Sequence, residues 1–191
     1  MRRPAAATIQ ALHFETIWMN LYGPKQLAES MRTVRKNTIQ IAEDIPEKDY
    51  NYRPTPESRS VLETLVHIAS LSRFDRIVHE EQHLSSLEGF DFGALFNGEA
   101  EEKRIRAKSD VVALLLTQGD RWCQWLEGLP EPLLSEHVRQ PGWALKTRFE
   151  MLVGTKEHEM HHRGQLMVIE RLLGIVPHLT RSRQSRQVAL R

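Results

Sequence analysis

Leu27, Met31, Val34, Thr38, Ile41 and Ile45 follow one another at spacings of 4, 3, 4, 3 and 4. That is the period of an α-helix with one side turned inward. Pro24, just after Gly23, suits a first helical position, where its missing N–H leaves nothing unsatisfied, and Pro46 ends the run. Residues 47–59, with Pro54 and Pro56, predict a connection. Ser60 and Glu63 can each satisfy the other's orphan backbone N–H as a capping box, so a second helix is predicted from there to about Leu87, before Gly89. A third, from near Ser109, carries Val111, Val112, Leu115, Leu116, Trp122 and Leu126 and stops at Gly128 and Pro130. A fourth opens on another capping box, Thr147 with Glu150, and closes at Gly174, with Pro177 beyond. No convincing alternating strand stands out. The pattern predicts an all-α four-helix bundle.

One connection is long. From about Ser86 to Lys108 it holds Gly89, Gly93 and Gly98 and then a charged run, Glu99 to Lys108. Loops of this length are uncommon unless they serve a purpose. It either shapes a pocket mouth or is a solvated excursion with a short helix of its own.

Composition narrows the class without naming a function. With 191 residues, 40% of them hydrophobic and 27% charged, the chain reads as one globular domain over residues 1–179, its core at about 24–178. Residues 180–191 form a basic tail with Arg181, Arg183, Arg186 and Arg191 and no acid, expected to be solvated and frayed. The net charge of +1, and the lack of a basic helix with interleaved aromatics, give no reason to expect nucleic acid. No run of about 20 apolar residues would span a membrane. Met1-Arg2-Arg3-Pro4 has no apolar stretch behind it, so no signal peptide is expected. Cys123 is the only cysteine, which excludes an intrachain disulfide and favours a reducing compartment, the cytoplasm by default. Beside Trp122 it reads as a small buried filler.

The nine histidines carry the chemistry. His158 and His162 are four apart on the fourth helix, and with Met151, Gln165 and Ile169 they fall on one face, which the apolar members mark as inward. Two imidazoles stacked so can grip one metal ion. His67 shares a face of the second helix with Leu71, Phe74 and Val78; a histidine buried there needs a partner, which a metal or a polar core neighbour would supply. Three neutral imidazoles would leave a coordination position open, as catalytic sites do. His158-Glu159-x-x-His162 also fits the zinc-peptidase pattern. Glu159, however, lies about 100° from His158 around the helix and should face a neighbouring helix or solvent. His161 lies about 60° from His158 on the side opposite to His162 and reads as a supporting or surface residue. His79 and His83, rotated about 120° and 160° from His67 and beside Glu80, Glu81 and Gln82, predict a solvated face. His13, His137 and His178 carry no signal.

The stretch His158-Glu159-Met160-His161-His162-Arg163-Gly164-Gln165-Leu166 resembles the DinB/YfiT family of bacterial proteins. The likeness continues through Arg171-Leu172-Leu173-Gly174-Ile175-Val176-Pro177 and, upstream, through Ser60-Val61-Leu62-Glu63-Thr64-Leu65-Val66-His67, so that it covers residues 24–178. It implies an up-down-down-up bundle, commonly dimeric, with a divalent metal held between the second and fourth helices by His67, His158 and His162. His178 stands where that family often has a second proline. Related families include transferases that use a low-molecular-weight thiol, bacillithiol or mycothiol, and a maleylpyruvate isomerase. The resemblance therefore leads one to expect a small-molecule substrate and an ion, zinc or nickel before iron or manganese, that lowers the pKa of a bound thiol or water. A thiol S-transferase is the first expectation and a small hydrolase the second. The alternative is a non-catalytic helical module that stores or senses metal or only dimerises.

Overall fold

The computed structural model describes residues 22–96, 105 and 107–189. The expectation of no signal peptide, His13, and most of the charged run Glu99–Lys108 lie outside the described residues. Four rods make the bundle. The first is α1 (Pro24–Asp44). The second is built from α2 (Val61–Ser70), α3 (Ser72–Asp75) and a π-helical turn over Arg76–Glu81. The third and fourth are α5 (Lys108–Glu127) and α7 (Arg148–Leu172). Both predicted capping boxes form, Ser60 with Glu63 and Thr147 with Glu150.

Side-chain contacts fix the directions. Lys108 at the start of α5 donates to the carbonyls of Glu43 and Ile45 at the end of α1, while Arg32 near the start of α1 pairs with Glu127 at the end of α5. These two rods are antiparallel. α7 runs parallel to α1, with Lys156 by Ser30 and Glu159 by Arg35, and antiparallel to the second rod, with Thr155 against Asp75 and Arg148 against Val78. The order is up, down, down, up.

Two apolar clusters fill the bundle. Leu27, Met31, Trp122, Leu126 and Leu152 pack at one end; Ile41, Ile45, Leu65, Ile68, Leu115, Leu166 and Ile169 pack at the other. Cys123 belongs to the first as a buried filler, its thiol pushed up to about 11 by burial. Between the clusters lie Arg35, Thr38 and Glu159, all buried.

Several details go beyond or depart from the expectations. The second rod ends at Glu81, not near Leu87: the backbone N–H of Gln82 bonds back to Ile77, and His83 takes a left-handed φ of 44° that turns the chain. A hairpin that no alternation announced, β1 (His137–Arg139) with β2 (Leu145–Thr147), stands before α7, with Val138 opposite Lys146. Its strands, of three residues each, are too short to show a period. The long connection is tied to this hairpin, since Arg139 N–H donates to Ser85 and Leu87 N–H to Arg139, and it carries a short helix, α4 (Phe92–Phe96). The short α6 (Glu131–Leu134) precedes the hairpin. Finally, the basic tail is helical: α8 (His178–Ala189) has no buried residue but is pinned at its start by His178 to Asn37 and Arg181 to Asp44. No described helix is long and apolar enough to cross a membrane.

Candidate metal centre

One turn of α7, with His158 and His162, lies against the turn of α2 that carries His67. Nε2 of His158 is 2.9 Å from Nε2 of His162 and 3.4 Å from Nε2 of His67, and the three available ring nitrogens all lie within 4.8 Å of one another. Metal–nitrogen bonds of 2.0–2.1 Å at tetrahedral angles place ligand nitrogens about 3.3 Å apart. The donors present therefore fit a divalent ion.

Proton placement agrees. An amide oxygen only accepts, so the 2.8 Å contact of His162 Nδ1 with Gln165 Oε1 puts the imidazole proton on Nδ1 and leaves Nε2 bare toward the cluster. The Gln165 amide nitrogen donates in turn to Nε2 of His161 at 3.0 Å. His161 is exposed and outside the cluster, reaching it through this amide and an edge-on ring contact with His162 at 5.2 Å. At 2.9 Å the Nε2 atoms of His158 and His162 need a proton or a metal ion between them. Burial lowers the pKa of all three imidazoles, and the neighbouring Arg59 cation adds to it; His67 falls to about 4. All three are neutral at pH 7, the state in which imidazole ligates.

The face they share is a rim and not the deep core that its apolar members suggested. His162 is buried and His67 half-buried, whereas His158 and Gln165 are exposed. His67 and His158 open onto a cavity of about 580 Å³. Its walls come from α2 and α3 (Leu62, Val66, Leu71, Phe74), from the long connection (Leu87, Phe92, Leu95, Ile105) and from α7 (Met151, Thr155). The connection is thus a pocket wall. Val78, expected on the His67 face, packs instead beneath the hairpin with Leu87 and Val138.

Glu159, the zinc-peptidase acid of the pattern, points away. It is fully buried and takes Nε and Nη2 of Arg35 at 3.0 and 2.9 Å and the Thr38 hydroxyl at 2.7 Å. With its oxygens committed on the far side of α7, it is not available as a general base to anything at the cluster. Gly119 on α5 makes room for that guanidinium: a β-carbon there would lie 2.7 Å from Arg35 Cγ.

His79 and His83 do not form the predicted solvated face. His83 is exposed and pairs with Glu136 at 3.2 Å, but His79 is buried. The π-helical turn has more residues per turn than the ideal helix assumed in the angular count, and so swings His79 inward. There Arg148 Nη1 donates to His79 Nδ1 at 2.9 Å, and Nε2 of His79 faces Asp75 at 4.0 Å. Asp75, fully buried, accepts from the Thr155 hydroxyl at 2.9 Å, and burial raises its carboxyl well above the usual range. Arg59, Asp75, Arg148 and Thr155 were not singled out in the sequence. They come from separate segments, and only Thr38, a polar residue in an apolar stripe, hinted at a buried polar network.

Residues 30–166 match the sequence profile of the DinB superfamily. The chain belongs to the DinB superfamily. It is 27% identical over 151 residues to the uncharacterized protein YjoA of Bacillus subtilis, covering 78% of this chain and 90% of YjoA. The crystal structure of YjoA, a DinB-like protein, superposes with a TM-score of 0.59 at 25% identity over 78% of this chain and 92% of that one. YfiT of Bacillus subtilis, described as a probable metal-dependent hydrolase with an unusual four-helix bundle topology, has the same fold. Its TM-score is 0.61 at 16% identity, over 91% of this chain and 94% of YfiT.

Proposed function

We propose that this protein is a metal-dependent hydrolase of small molecules, with a divalent ion held by His67, His158 and His162. The observation that carries the reading is the convergence of three neutral imidazoles on one point at the wall of a cavity of about 580 Å³, within the range of small-molecule sites. YfiT, which shares the fold, is described as a probable metal-dependent hydrolase. When bound, the ion supplies Lewis acidity and activates water at neutral pH. The chain supplies the rest. Gln165 holds the His162 tautomer, the Arg35–Glu159 pair locks the rotation of α7, and Leu71, Phe74 and Phe92 form an apolar wall that shields the substrate's body from water.

The thiol-transferase expectation rests on family resemblance alone; no described group lining the cavity selects a thiol. One set of measurements separates the readings. Untagged protein is analysed for metal by mass spectrometry, then assayed against a panel of small esters and amides and, in parallel, for thiol conjugation to an electrophilic aromatic. The expected result is near-stoichiometric metal and hydrolysis that disappears with chelator and returns with metal. Thiol conjugation without hydrolysis would make it a transferase, and metal without either reaction a binding module.

A further inference from the structure

Among the described residues, the cavity has a charge that its lining does not balance. Three neutral imidazoles bring no negative charge, so a divalent ion on them keeps its full +2. Arg59, one residue before the cap of α2, lines the same cavity as His67 and His158. Among the described residues it makes no hydrogen bond or ion pair, and its field is felt at all three histidines.

The acids of the lining are already engaged. Glu63 takes Arg53 at 2.5 Å and the Ser60 N–H at 2.9 Å; Glu150 takes the Thr147 N–H and hydroxyl at the cap of α7. Behind the wall, Glu159 is saturated by Arg35 and Thr38. A second cation, Lys146 on β2, lines the cavity within electrostatic reach of Glu150. Two like-signed centres in one partly dehydrated space repel, and an anion between them removes that repulsion. The remaining wall is mostly apolar, with Ser70, Gln140 and Thr155 its polar members and the rings of Phe74 and Phe92 stacked 6.0 Å apart.

We infer that the cavity takes a small amphipathic anion, whose oxyanion headgroup is held by Arg59 beside the three histidines and whose apolar body lies against Leu71, Phe74 and Phe92. This deepens the metal-dependent reading and rests on it only for the share of the headgroup's binding that the ion provides. A guanidinium presents parallel N–H donors that match the two oxygens of a carboxylate or phosphate, so Arg59 suits either headgroup.

The test is calorimetric titration of the full-length protein, zinc-loaded and chelator-stripped. The probes are 4-phenylbutyrate, its neutral amide, and 3-phenylpropylphosphonate. Zinc-loaded wild type should bind the better of the two acids at least ~10-fold tighter than the amide, about 1.4 kcal/mol. The better acid names the headgroup. Stripped protein should keep a several-fold preference, carried by Arg59. In Arg59→Met that residual preference should vanish, and in Arg59→Lys it should return in part. Arg59 is exposed and, among the described residues, makes no ion pair, so an unchanged melting temperature is expected of both variants and checks that they fold.

Equal binding of acid and amide by stripped wild type, a preference that survives in stripped Arg59→Met, or no binding of either acid at millimolar concentration would overturn the inference. The two readings fail separately. An Arg59-dependent preference in a protein that takes up no zinc overturns the metal site alone. Stoichiometric zinc with no Arg59-dependent preference overturns the anion alone.

Discussion

Two pairs of histidines sit four residues apart, one within α7 and the other running off the end of the facing rod, and they end in opposite states. His158 and His162 turn their Nε2 atoms to a common point where a third histidine meets them, at the edge of an open cavity. His79 and His83 are split, one buried and the other at the surface. Across from the first pair stands His67, a neutral donor; across from His79 stands Arg148, a permanent cation that occupies Nδ1. A metal ion could not approach His79 without displacing a guanidinium and facing its charge. Spacing alone therefore does not make a metal site. The group presented by the opposing rod, and its charge, decide.

The sharpest way to break this contrast is to remove one histidine from each place. His162→Ala or His67→Ala should lower metal affinity by at least ~100-fold, about 3 kcal/mol, while His161→Ala should retain near-stoichiometric metal in equilibrium dialysis. His79→Ala should also retain it. Metal loss in His79→Ala or His161→Ala, with retention in His162→Ala, would reverse the assignment.

Next in size, Arg148→Met should leave metal content unchanged and destabilise the fold by about 2–3 kcal/mol in urea unfolding. It strands the carbonyls of Val78 and Leu84 and the ring of His79, all of which Arg148 now serves.

The His79 pair also carries a pH signature. Burial first, then Arg148 and His83, depress the His79 pKa to about 4. An unfolded imidazole takes its proton near pH 6.5, so between about 6.5 and 4 the unfolded state binds more protons and stability falls as pH drops. The loss, up to about 3 kcal/mol by pH 4, is what His79→Gln should remove, flattening the slope of stability against pH in that window. Asp75, with its raised carboxyl, works with the opposite sign, so the comparison of variant with wild type is the readout. An unchanged slope would show that the buried ring does not titrate there.

The smallest effect belongs to the support of the first pair. Gln165→Leu frees the His162 tautomer and should weaken metal binding about 10-fold, roughly 1.4 kcal/mol, without changing the fold's stability. Unchanged affinity would show that the amide is a bystander.

The helices were legible because their ends are written in local chemistry. Gly23-Pro24, the two capping boxes and Gly174, which takes a left-handed φ of 77°, each act within a few residues. His67, His158 and His162 were legible as a pair at one-turn spacing plus a family likeness. What stayed hidden depends on partners distant along the chain. Arg35 and Glu159 are separated by 124 positions, and neither looks unlike an ordinary surface charge until the helices dock. His79 was misplaced because one wide turn changes the angle of everything after it, and nothing local to Arg76–Glu81 announces that turn. The hairpin's strands are shorter than the window any alternation needs.

Gly119 has a consequence for how this sequence can vary. Glycine in mid-helix is about 1 kcal/mol worse than alanine, so Gly119→Ala taken alone would be stabilising by propensity. Here the new methyl meets the stem of an arginine held at its far end by Glu159, Leu115 and Ile68, so the substitution should destabilise. Once positions 35 and 159 are both apolar and smaller, the collision is gone and alanine at 119 regains its helical advantage. The sign of one substitution thus depends on two others in different helices. Positions 35, 119 and 159 form an epistatic trio: a lineage can leave this arrangement only by changing the ion pair before the glycine.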